Sequence, residues 1–388
     1  MMKKILMILD THFPPDDRVE KEALSLISRG MDVSILTKNK NNKKKFEIYK
    51  DIKVYRIKYS IISIIIDNLF FFITNIFPIW HIHIRKLIKK NKYKILHVHD
   101  LRQLKTSLYF KRKNPELTII SDLHEYYSKQ SKTLSAETTK GKIFSKLLRL
   151  INLKKLENNT LRKTDYIITV IDEAKRSYLK DYNLNEKKIF IIKNTIPKTY
   201  YTQKTKFRKK YDLVHFGNIN SERGINILIN TMVKYNFYPK TLLIGPHNEY
   251  VNKLLNRHKL NNIDITGWVD IKNIEQWMHQ GKIALICHHK TDFTDNTIPN
   301  KLFHYMAAGL PILSSNCKPI ERIIDESKNG LVYKWNNKEE LFEKLQMMLD
   351  SNKNIYKKWR KNSLKMFKNK YNWEEDEKEL FRLYKEII

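Results

Sequence analysis

The chain has 388 residues, of which 41% are hydrophobic, and this is enough apolar material for the cores of two domains of ordinary size. It carries 74 Lys and Arg against 41 Asp and Glu, a formal net charge of +33 that favours anionic partners. The charge is mostly scattered lysine, without a helix-turn-helix, zinc-finger or RNA-binding motif, so we expect no nucleic-acid partner. Two cysteines, Cys287 and Cys317, suit a reducing compartment and predict no metal site.

The first forty residues predict the opening of a doubly wound α/β sheet. The apolar run at residues 5–9 is too short for a signal-peptide core, which predicts a cytoplasmic protein, and it matches a buried parallel strand. An amphipathic helix follows at residues 17–28, and a second strand begins at Val33. Strand, helix and strand at this spacing form a right-handed βαβ unit.

The segment at residues 61–80, IISIIIDNLFFFITNIFPIW, is long enough to span a bilayer. Asp67 argues against spanning, because a carboxylate near mid-membrane costs about 2.5–3.5 kcal/mol. Lys58 and the basic residues at 85–94 flank it, so one interpretation is a helix on an anionic membrane face or along a lipid-acceptor groove. The alternative is a helix packed on the N-terminal sheet. We expect packing on one side and membrane contact on the other.

Polar side chains follow two predicted strands of the N-terminal half. His99 and Asp100 end one strand, and His124 and Glu125 follow the next. In open α/β sheets ligands bind beyond the carboxyl ends of strands, so these residues are candidates for a site. The alternative for His124 is that it caps a helix or bonds a backbone carbonyl group.

The second half repeats the alternation of strands and helices after the phrase Asn-Thr-Ile-Pro at residues 194–197. Its first strand runs into the loop 217–224, GNINSERG, which begins and ends with glycine. Glycine at such a turn suits the close approach of a ligand or of another backbone segment. The alternative is a surface turn with a solvated Arg223.

Residues 297–316, TIPNKLFHYMAAGLPILSSN, predict a short helix followed at once by a buried strand. Pro299 suits the first helical turn, and Gly309 ends the helix. A helix N-terminus presents free N–H groups and a positive dipole end. The loop at residues 295–299, together with Lys301, is therefore expected to hold a phosphate.

PNKLFHYMAAGLPI, within this segment, resembles the nucleotide-sugar motif P-x-K-[LI]-x-E-[YA]-[ML]-A-x-G-x-P-[VI] of retaining GT-B glycosyltransferases, glycosyltransferase family four. His304 and Asn296 stand where the family has the two acids of its E-x7-E pair, which hold the sugar and ribose of the donor. The resemblance implies two Rossmann-like doubly wound domains facing across a cleft. The acceptor-side domain would be residues 1–197 with helix 371–388, and the nucleotide-sugar domain residues 198–370.

Four further phrases extend the resemblance over nearly the whole chain. The loop 217–224 resembles the family's phosphate loop G-R-x4-K-G, with Arg223 for Lys and Asn218 for Arg. S-D-L-H-E resembles the family's D-x-H-E string, whose histidine, here His124, faces the reacting sugar. T-G-W-V resembles a base-contacting turn and predicts that Trp268 stacks on a nucleobase.

The fourth phrase, THFPPDDRVEKEA at residues 11–23, resembles the acceptor-side loop of the family and predicts acceptor contacts for Asp16 and Arg18. The alternative is that Asp16 caps the helix and Arg18 is solvated.

The resemblance implies a retaining hexosyltransferase that moves a sugar from a nucleotide-sugar donor to a glycan or lipid-linked acceptor in cell-surface polysaccharide synthesis. Residues 61–80 and the basic residues around them predict that it works peripherally on the cytoplasmic face of the membrane. Arg223, Lys301 and the helix N-terminus would stabilise the departing diphosphate without a metal, and His124 would orient the sugar. The alternatives are a GT-B nucleotide-sugar 2-epimerase and a non-catalytic binding protein, the latter suggested by the missing E-x7-E pair. The predicted catalytic residues are His124, Arg223 and Lys301, and the predicted substrate-binding residues are Gly217, Asn218, Trp268, Asn296, Pro299, Asn300, His304, Asp16, Arg18, His99 and Glu125.

Overall fold

The structure is a computed structural model, which describes residues 3–133, 152–201 and 208–387. The chain divides into two compact units, one of Met1–Lys193 with Glu377–Ile388 and one of Asn194–Asp376. Each unit contains one sheet covered by helices, and the chain is therefore an α/β protein with two Rossmann-like doubly wound domains, as predicted.

The first unit is built on an eight-stranded sheet in the order β3-β4-β2-β1-β5-β6-β7-β8. Every neighbouring pair is parallel except β3 with β4. The strand order reverses at β1, which lies between β2 and β5. The strands are β1 (Lys4–His12), β2 (Asp32–Lys38), β3 (Phe46–Tyr49), β4 (Ile52–Ile57), β5 (Ile95–His99), β6 (Thr118–Leu123), β7 (Tyr166–Thr169) and β8 (Ile189–Ile191).

Helices cover this sheet because the central strands are buried on both faces, as parallel strands in α/β domains are. Near the C-terminus, Tyr384 is buried against His97 of β5, and their hydroxyl oxygen and Nδ1 atoms lie 2.9 Å apart. The helices are α1 (Asp17–Ser28), α2 (Ile61–Thr74), α3 (Pro78–Asn91), α4 (Leu104–Lys113), α5 (Tyr127–Thr133), α6 (Leu153–Leu161) and α7 (Asp172–Tyr182), and the last helix of the chain also contributes its residues from Glu377 onward.

The second unit is built on a six-stranded parallel sheet in the order β11-β10-β9-β12-β13-β14. Its strands are β9 (Tyr211–Phe216), β10 (Thr241–Ile244), β11 (Ile263–Ile265), β12 (Gly281–Ile286), β13 (Ile312–Ser315) and β14 (Gly330–Tyr333). Its helices are α8 (Ile225–Lys234), α9 (Glu249–His258), α10 (Ile274–Met278), α11 (Lys301–Ala307), α12 (Lys318–Ser327), α13 (Lys338–Leu349), α14 (Lys353–Asn369) and the start of α15 (Trp373–Ile387). The order reverses at β9, between β10 and β12.

The apolar stretch that the sequence presents as one segment forms two helices, α2 and α3, which are bent by 95° relative to each other. Helix α2 ends at Asn75, which adopts a left-handed conformation with φ of +55°, and Pro78 begins α3. Within the described part of the chain, no single helix is long and apolar enough to cross a membrane, whereas this bent pair passes the same test of length and composition when its helices are taken together.

The outer face of α2 is apolar. The side chains of this helix that are buried belong to Asp67 and Phe71. The Asp67 carboxylate accepts hydrogen bonds from the Tyr59 hydroxyl group and, at 2.9 Å, from the Ile79 backbone N–H. The exposed large hydrophobic residues of the helix are Ile61, Ile62, Ile64, Ile65, Ile66, Leu69, Phe70 and Ile73. Helix α2 thus turns its acidic residue toward the protein and most of its apolar residues outward.

Candidate functional site

In the first unit, the candidate site lies at the carboxyl ends of β5 and β6. Asp100 follows β5 and His124 follows β6, and these two strands are neighbours. The Asp100 carboxylate accepts a hydrogen bond from the His124 backbone N–H at 3.3 Å and lies 3.8 Å from the His124 Nδ1 atom. The side chain of His124 is 21% exposed. The fold thus places His124 at the sheet edge where open α/β sheets bind ligands.

The buried carboxylate of Asp122 organises the histidines around it. Its Oδ2 atom lies 3.2 Å from His99 Nδ1, 3.4 Å from His124 Nε2 and 3.6 Å from His97 Nε2. Its Oδ1 atom accepts a hydrogen bond from the Arg18 guanidinium at 2.8 Å. Every member of this cluster except His124 is buried, so His124 is the part of the network that solvent or a ligand reaches.

The charges of this cluster make His124 a cation at neutral pH. Burial lowers the pKa of His124, but the nearby Asp100 and Asp122 carboxylates outweigh it and raise that pKa to about 9. Burial would raise the pKa of Asp122, but Arg18 and His124 hold it well below its ordinary value. Burial and the neighbouring His97 lower the pKa of His99 to about 3. The site therefore combines an ionised carboxylate, a neutral His99 and a partly exposed imidazolium.

Glu22 lies beside this cluster. Together with His97, His99 and Asp122 it could supply metal ligands, because atoms of these four side chains lie within 4.8 Å of one another. However, the Arg18 guanidinium already pairs with both carboxyl groups, at 3.1 Å from Glu22 and 2.8 Å from Asp122. A fixed positive charge at this distance repels a further cation. The absence of a metal cofactor therefore stays our prediction.

The predicted acceptor-side residues lie in different surroundings. Asp16 caps helix α1 and accepts a hydrogen bond from the Val19 N–H at 3.1 Å, as the alternative interpretation had it. The alternative of a solvated Arg18 is wrong, because this side chain is buried and also donates to the Ile192 carbonyl oxygen at 3.1 Å. His99 is buried beside His124, with Nδ1 3.2 Å from His124 Nε2. Glu125 accepts a hydrogen bond from Gln130.

In the second unit, Arg223 and Lys301 lie among histidines. Lys301 Nζ lies 3.2 Å from Nε2 of His215, a residue of β9, and Arg223 Nη1 lies 3.3 Å from Nε2 of His288, just beyond β12. Lys301, His215 and His288 are buried. Burial and the Arg223 charge lower the pKa of Lys301 well below its ordinary value. Four side chains able to carry positive charge thus converge at the carboxyl ends of β9 and β12.

The loop 217–224 passes this cluster with its two glycines in conformations that other residues rarely adopt. Gly217 has φ of +107°, and a Cβ atom built on it would lie 3.5 Å from Lys301 Nζ. Gly224 has φ of +72°, and a Cβ atom built on it would lie 1.7 Å from the Cys287 carbonyl oxygen. Gly224 therefore permits a backbone contact that no side chain would allow. The predicted site residue Asn218 is exposed in the loop.

The helix predicted to start at Pro299 begins at Lys301 and spans only seven residues. The Pro299 carbonyl oxygen accepts from the Leu302 N–H at 3.1 Å, so Pro299 and the exposed Asn300 form the turn that precedes the helix. The predicted phosphate site therefore lies at the N-terminus of a short helix.

The two residues that replace the family's acids are both buried. His304 Nδ1 lies 3.1 Å from the Tyr201 hydroxyl oxygen. Asn296 donates from Nδ2 to the Asp292 carbonyl oxygen at 2.7 Å, while its Oδ1 atom is buried and accepts no hydrogen bond from the described residues. Trp268, by contrast, is 79% exposed. The roles of Asn296, His304 and Trp268 toward a sugar nucleotide stay predictions.

Sequence reasoning missed His215 and His288 as members of the second cluster. A signal was available, because each of them lies at or just beyond the carboxyl end of a strand. The pairing of His215 with Lys301 joins positions 86 residues apart, however, and no local pattern indicates it.

Comparisons with known proteins agree with this architecture. A family described as Glycosyltransferase Family 4 matches residues 19–199, and one described as Glycosyl transferases group 1 matches residues 210–351. An uncharacterized glycosyltransferase of Methanocaldococcus jannaschii is 24% identical over 240 residues, which are 58% of this chain and 60% of that relative. The aligned part of the chain thus spans 60% of the length of the curated relative it matches.

Among solved structures, the chain is similar to sucrose-phosphate synthase from Thermosynechococcus elongatus, with a TM-score of 0.77 and 14% identity over 99% of both chains. It is also similar to Anabaena HepE in complex with UDP, with a TM-score of 0.72 and 12% identity over 99% of this chain and 100% of that one. Identities this low bear on the fold alone. Fold and family matches together place the chain among the group 1 glycosyltransferases with the GT-B fold.

Proposed function

We propose that this protein is a retaining hexosyltransferase that takes its sugar from a nucleoside-diphosphate sugar. The observation that carries the proposal is the convergence of Arg223 and Lys301 beside the loop 217–224 in the second unit. A diphosphate is the kind of anion that would relieve the repulsion between the buried Lys301 and the partly buried Arg223. Anabaena HepE, which has the same fold, has been solved with UDP and with UDP-glucose, and this favours a UDP-sugar as the donor.

In the proposed mechanism, Arg223 and Lys301 stabilise the departing diphosphate. Negative charge builds on the leaving oxygen as the glycosidic bond breaks, and fixed donors aimed at that charge are usually the largest catalytic contribution. Charge-assisted N–H donors of this kind would serve without a metal ion. The imidazolium of His124 would orient the sugar by donating to a hydroxyl group, and Trp268 would stack on the base.

We further propose that the protein works at the cytoplasmic face of the cell membrane, with a lipid-linked or glycan acceptor of cell-surface polysaccharide synthesis. The support is the outward apolar face of α2, because a contiguous exposed patch of this kind marks an interaction surface. The exposed side chains of Lys58, Arg85, Lys86, Lys89 and Lys90 lie on or beside the same helix pair. Positive charge beside an apolar face matches an anionic membrane surface.

One experiment tests the donor half of the proposal. Binding of UDP, GDP and dTDP is measured by isothermal titration calorimetry, and release of the nucleoside diphosphate from each corresponding sugar nucleotide is then followed with membrane extract as acceptor. We expect binding of one diphosphate and release that depends on the extract. Release without an acceptor, together with a free sugar, would favour the epimerase.

A non-catalytic binding protein is the second candidate, and the replacement of both family acids by Asn296 and His304 favours it. Binding of a diphosphate without turnover of any sugar nucleotide would support it. Failure to bind any of the three diphosphates would refute the proposed donor site.

A further inference from the structure

We propose that His215 and His288 are positioning residues, which hold the Lys301 ammonium and the Arg223 guanidinium in place for a diphosphate by accepting a hydrogen bond from each. This inference rests on the proposed function, because it names how the donor site orients its two cations. It assigns a role to two histidines that the sequence patterns left unassigned.

The geometry supports the assignment, because each cation is paired with one ring nitrogen. Lys301 Nζ lies 3.2 Å from His215 Nε2, and Arg223 Nη1 lies 3.3 Å from His288 Nε2. The Arg223 guanidinium has donors and no acceptor, and the same is true of Lys301 once a bound diphosphate favours its ammonium form, so in both contacts the Nε2 atom then accepts. Acceptance requires a neutral imidazole that carries its proton on Nδ1.

The surroundings keep both imidazoles neutral. Burial and the Lys301 charge lower the pKa of His215 well below its ordinary value, and burial with Lys301 and Arg223 does the same for His288. A carboxylate in the same place would also accept from each cation, but it would cancel the positive charge that attracts a diphosphate. A neutral histidine orients the cation without cancelling its charge.

The fold explains why this support is needed. Lysine and arginine lose considerable side-chain entropy when they are held in one conformation. His215 belongs to β9 and His288 lies two residues beyond β12, and these two strands are neighbours in the centre of the second sheet. The two acceptors are therefore held by the backbone of the central strands, whereas Arg223 lies at the end of a short helical turn in the loop 217–224.

The test is a double-mutant cycle on UDP affinity, measured by calorimetry with the full chain. His288→Ala should weaken UDP binding about tenfold, which is the size expected for the loss of one charge-assisted contact. In an Arg223→Ala background the same change should have almost no effect, because it acts through Arg223. In a Lys301→Ala background its effect should be retained. His215→Ala should show the opposite pattern.

Conservative variants separate positioning from a structural role. His288→Gln and His215→Gln keep an acceptor close to the position of Nε2, so UDP affinity should stay within about threefold of wild type. Uridine, which has no phosphate, should bind all variants alike. His258→Ala, at the far end of α9, is the matched control and should leave UDP affinity unchanged. His288→Leu and His215→Leu, which fill the space without an acceptor, replace any alanine variant that does not fold.

Three results would overturn the inference while leaving the proposed function intact: wild-type UDP affinity in both alanine variants, an equal loss for uridine and UDP, or a full effect of His288→Ala without Arg223. A wild-type protein that binds UDP, GDP and dTDP equally poorly would refute the proposed function itself and the inference with it.

Discussion

Two exposed isoleucines of α2 should account for much of the affinity of this protein for anionic vesicles. The side chains of Ile62 and Ile73 are 68% and 75% exposed. Complete burial of such a side chain contributes about 1.5–3 kcal/mol, so burying these exposed fractions in lipid contributes about 1–2 kcal/mol each. The double variant Ile62→Gln with Ile73→Gln should therefore bind vesicles about 30- to 700-fold more weakly.

Sedimentation with vesicles of defined composition measures this change. The control is Ile48→Gln, because Ile48 is 66% exposed on β3 of the same unit but outside the α2 face, and it should sediment like wild type. Lys89→Gln with Lys90→Gln should lose about thirtyfold on anionic vesicles, since each basic residue near the surface contributes about 1 kcal/mol. Salt should weaken the binding of the wild-type protein to anionic vesicles, because it screens the exposed charges.

The reasoning would be refuted by equal sedimentation of wild type and the isoleucine double variant. Equal binding of wild type to neutral and anionic vesicles would refute only the electrostatic part. Analytical ultracentrifugation without lipid tests the alternative that α2 is buried in a dimer. A wild-type dimer that dissociates in the isoleucine variant would show that the α2 face binds a second copy of the chain instead of a membrane.

Further predictions concern the two sites. His124→Ala should lower turnover about a hundredfold, because the reacting sugar loses its orientation, while calorimetry shows unchanged UDP affinity. Because the pKa of His124, about 9, lies above its ordinary value of 6.5, the stability it contributes should be complete below about pH 6.5 and lost as the pH rises through 9, as urea unfolding of wild type and His124→Asn compared across pH would show. Arg223→Ala and Lys301→Ala should each weaken UDP binding about 10- to 100-fold, and the pair less than additively; wild-type affinity in both would remove them from the site. Gly224→Ala should lower the free energy of unfolding in urea by at least about 2 kcal/mol, because its Cβ atom would meet the Cys287 carbonyl oxygen; an unchanged midpoint would contradict this.

Local sequence was sufficient to predict the elements of the fold. A run of apolar residues bounded by polar ones predicts a buried parallel strand, and the run at residues 5–9 lies within β1, Lys4–His12. The alternation of such runs with amphipathic segments is enough to predict two doubly wound sheets, because parallel strands need helical crossovers. The same rule placed His124 at the edge of the first sheet, since the carboxyl ends of parallel strands share one edge.

Only the tertiary structure decided which side chains meet. Arg18 is paired with Asp122, 104 residues away, and Lys301 with His215, 86 residues away, and each partner is polar enough to have been assigned to solvent from sequence alone. Whether a polar side chain is buried depends on the partner that compensates its desolvation, and that partner is brought near only by the sheet.

The apolar segment at residues 61–80 shows the same division. Its composition determined that it would be helical and hydrophobic, but not which face would point outward. Asp67 found partners in Tyr59 and the Ile79 N–H, so the carboxylate side of α2 packs on the protein and the isoleucines are exposed. The sequence contains every residue of this surface, but its orientation depends on a buried hydrogen bond that joins α2 to α3, and only the folded chain forms that bond.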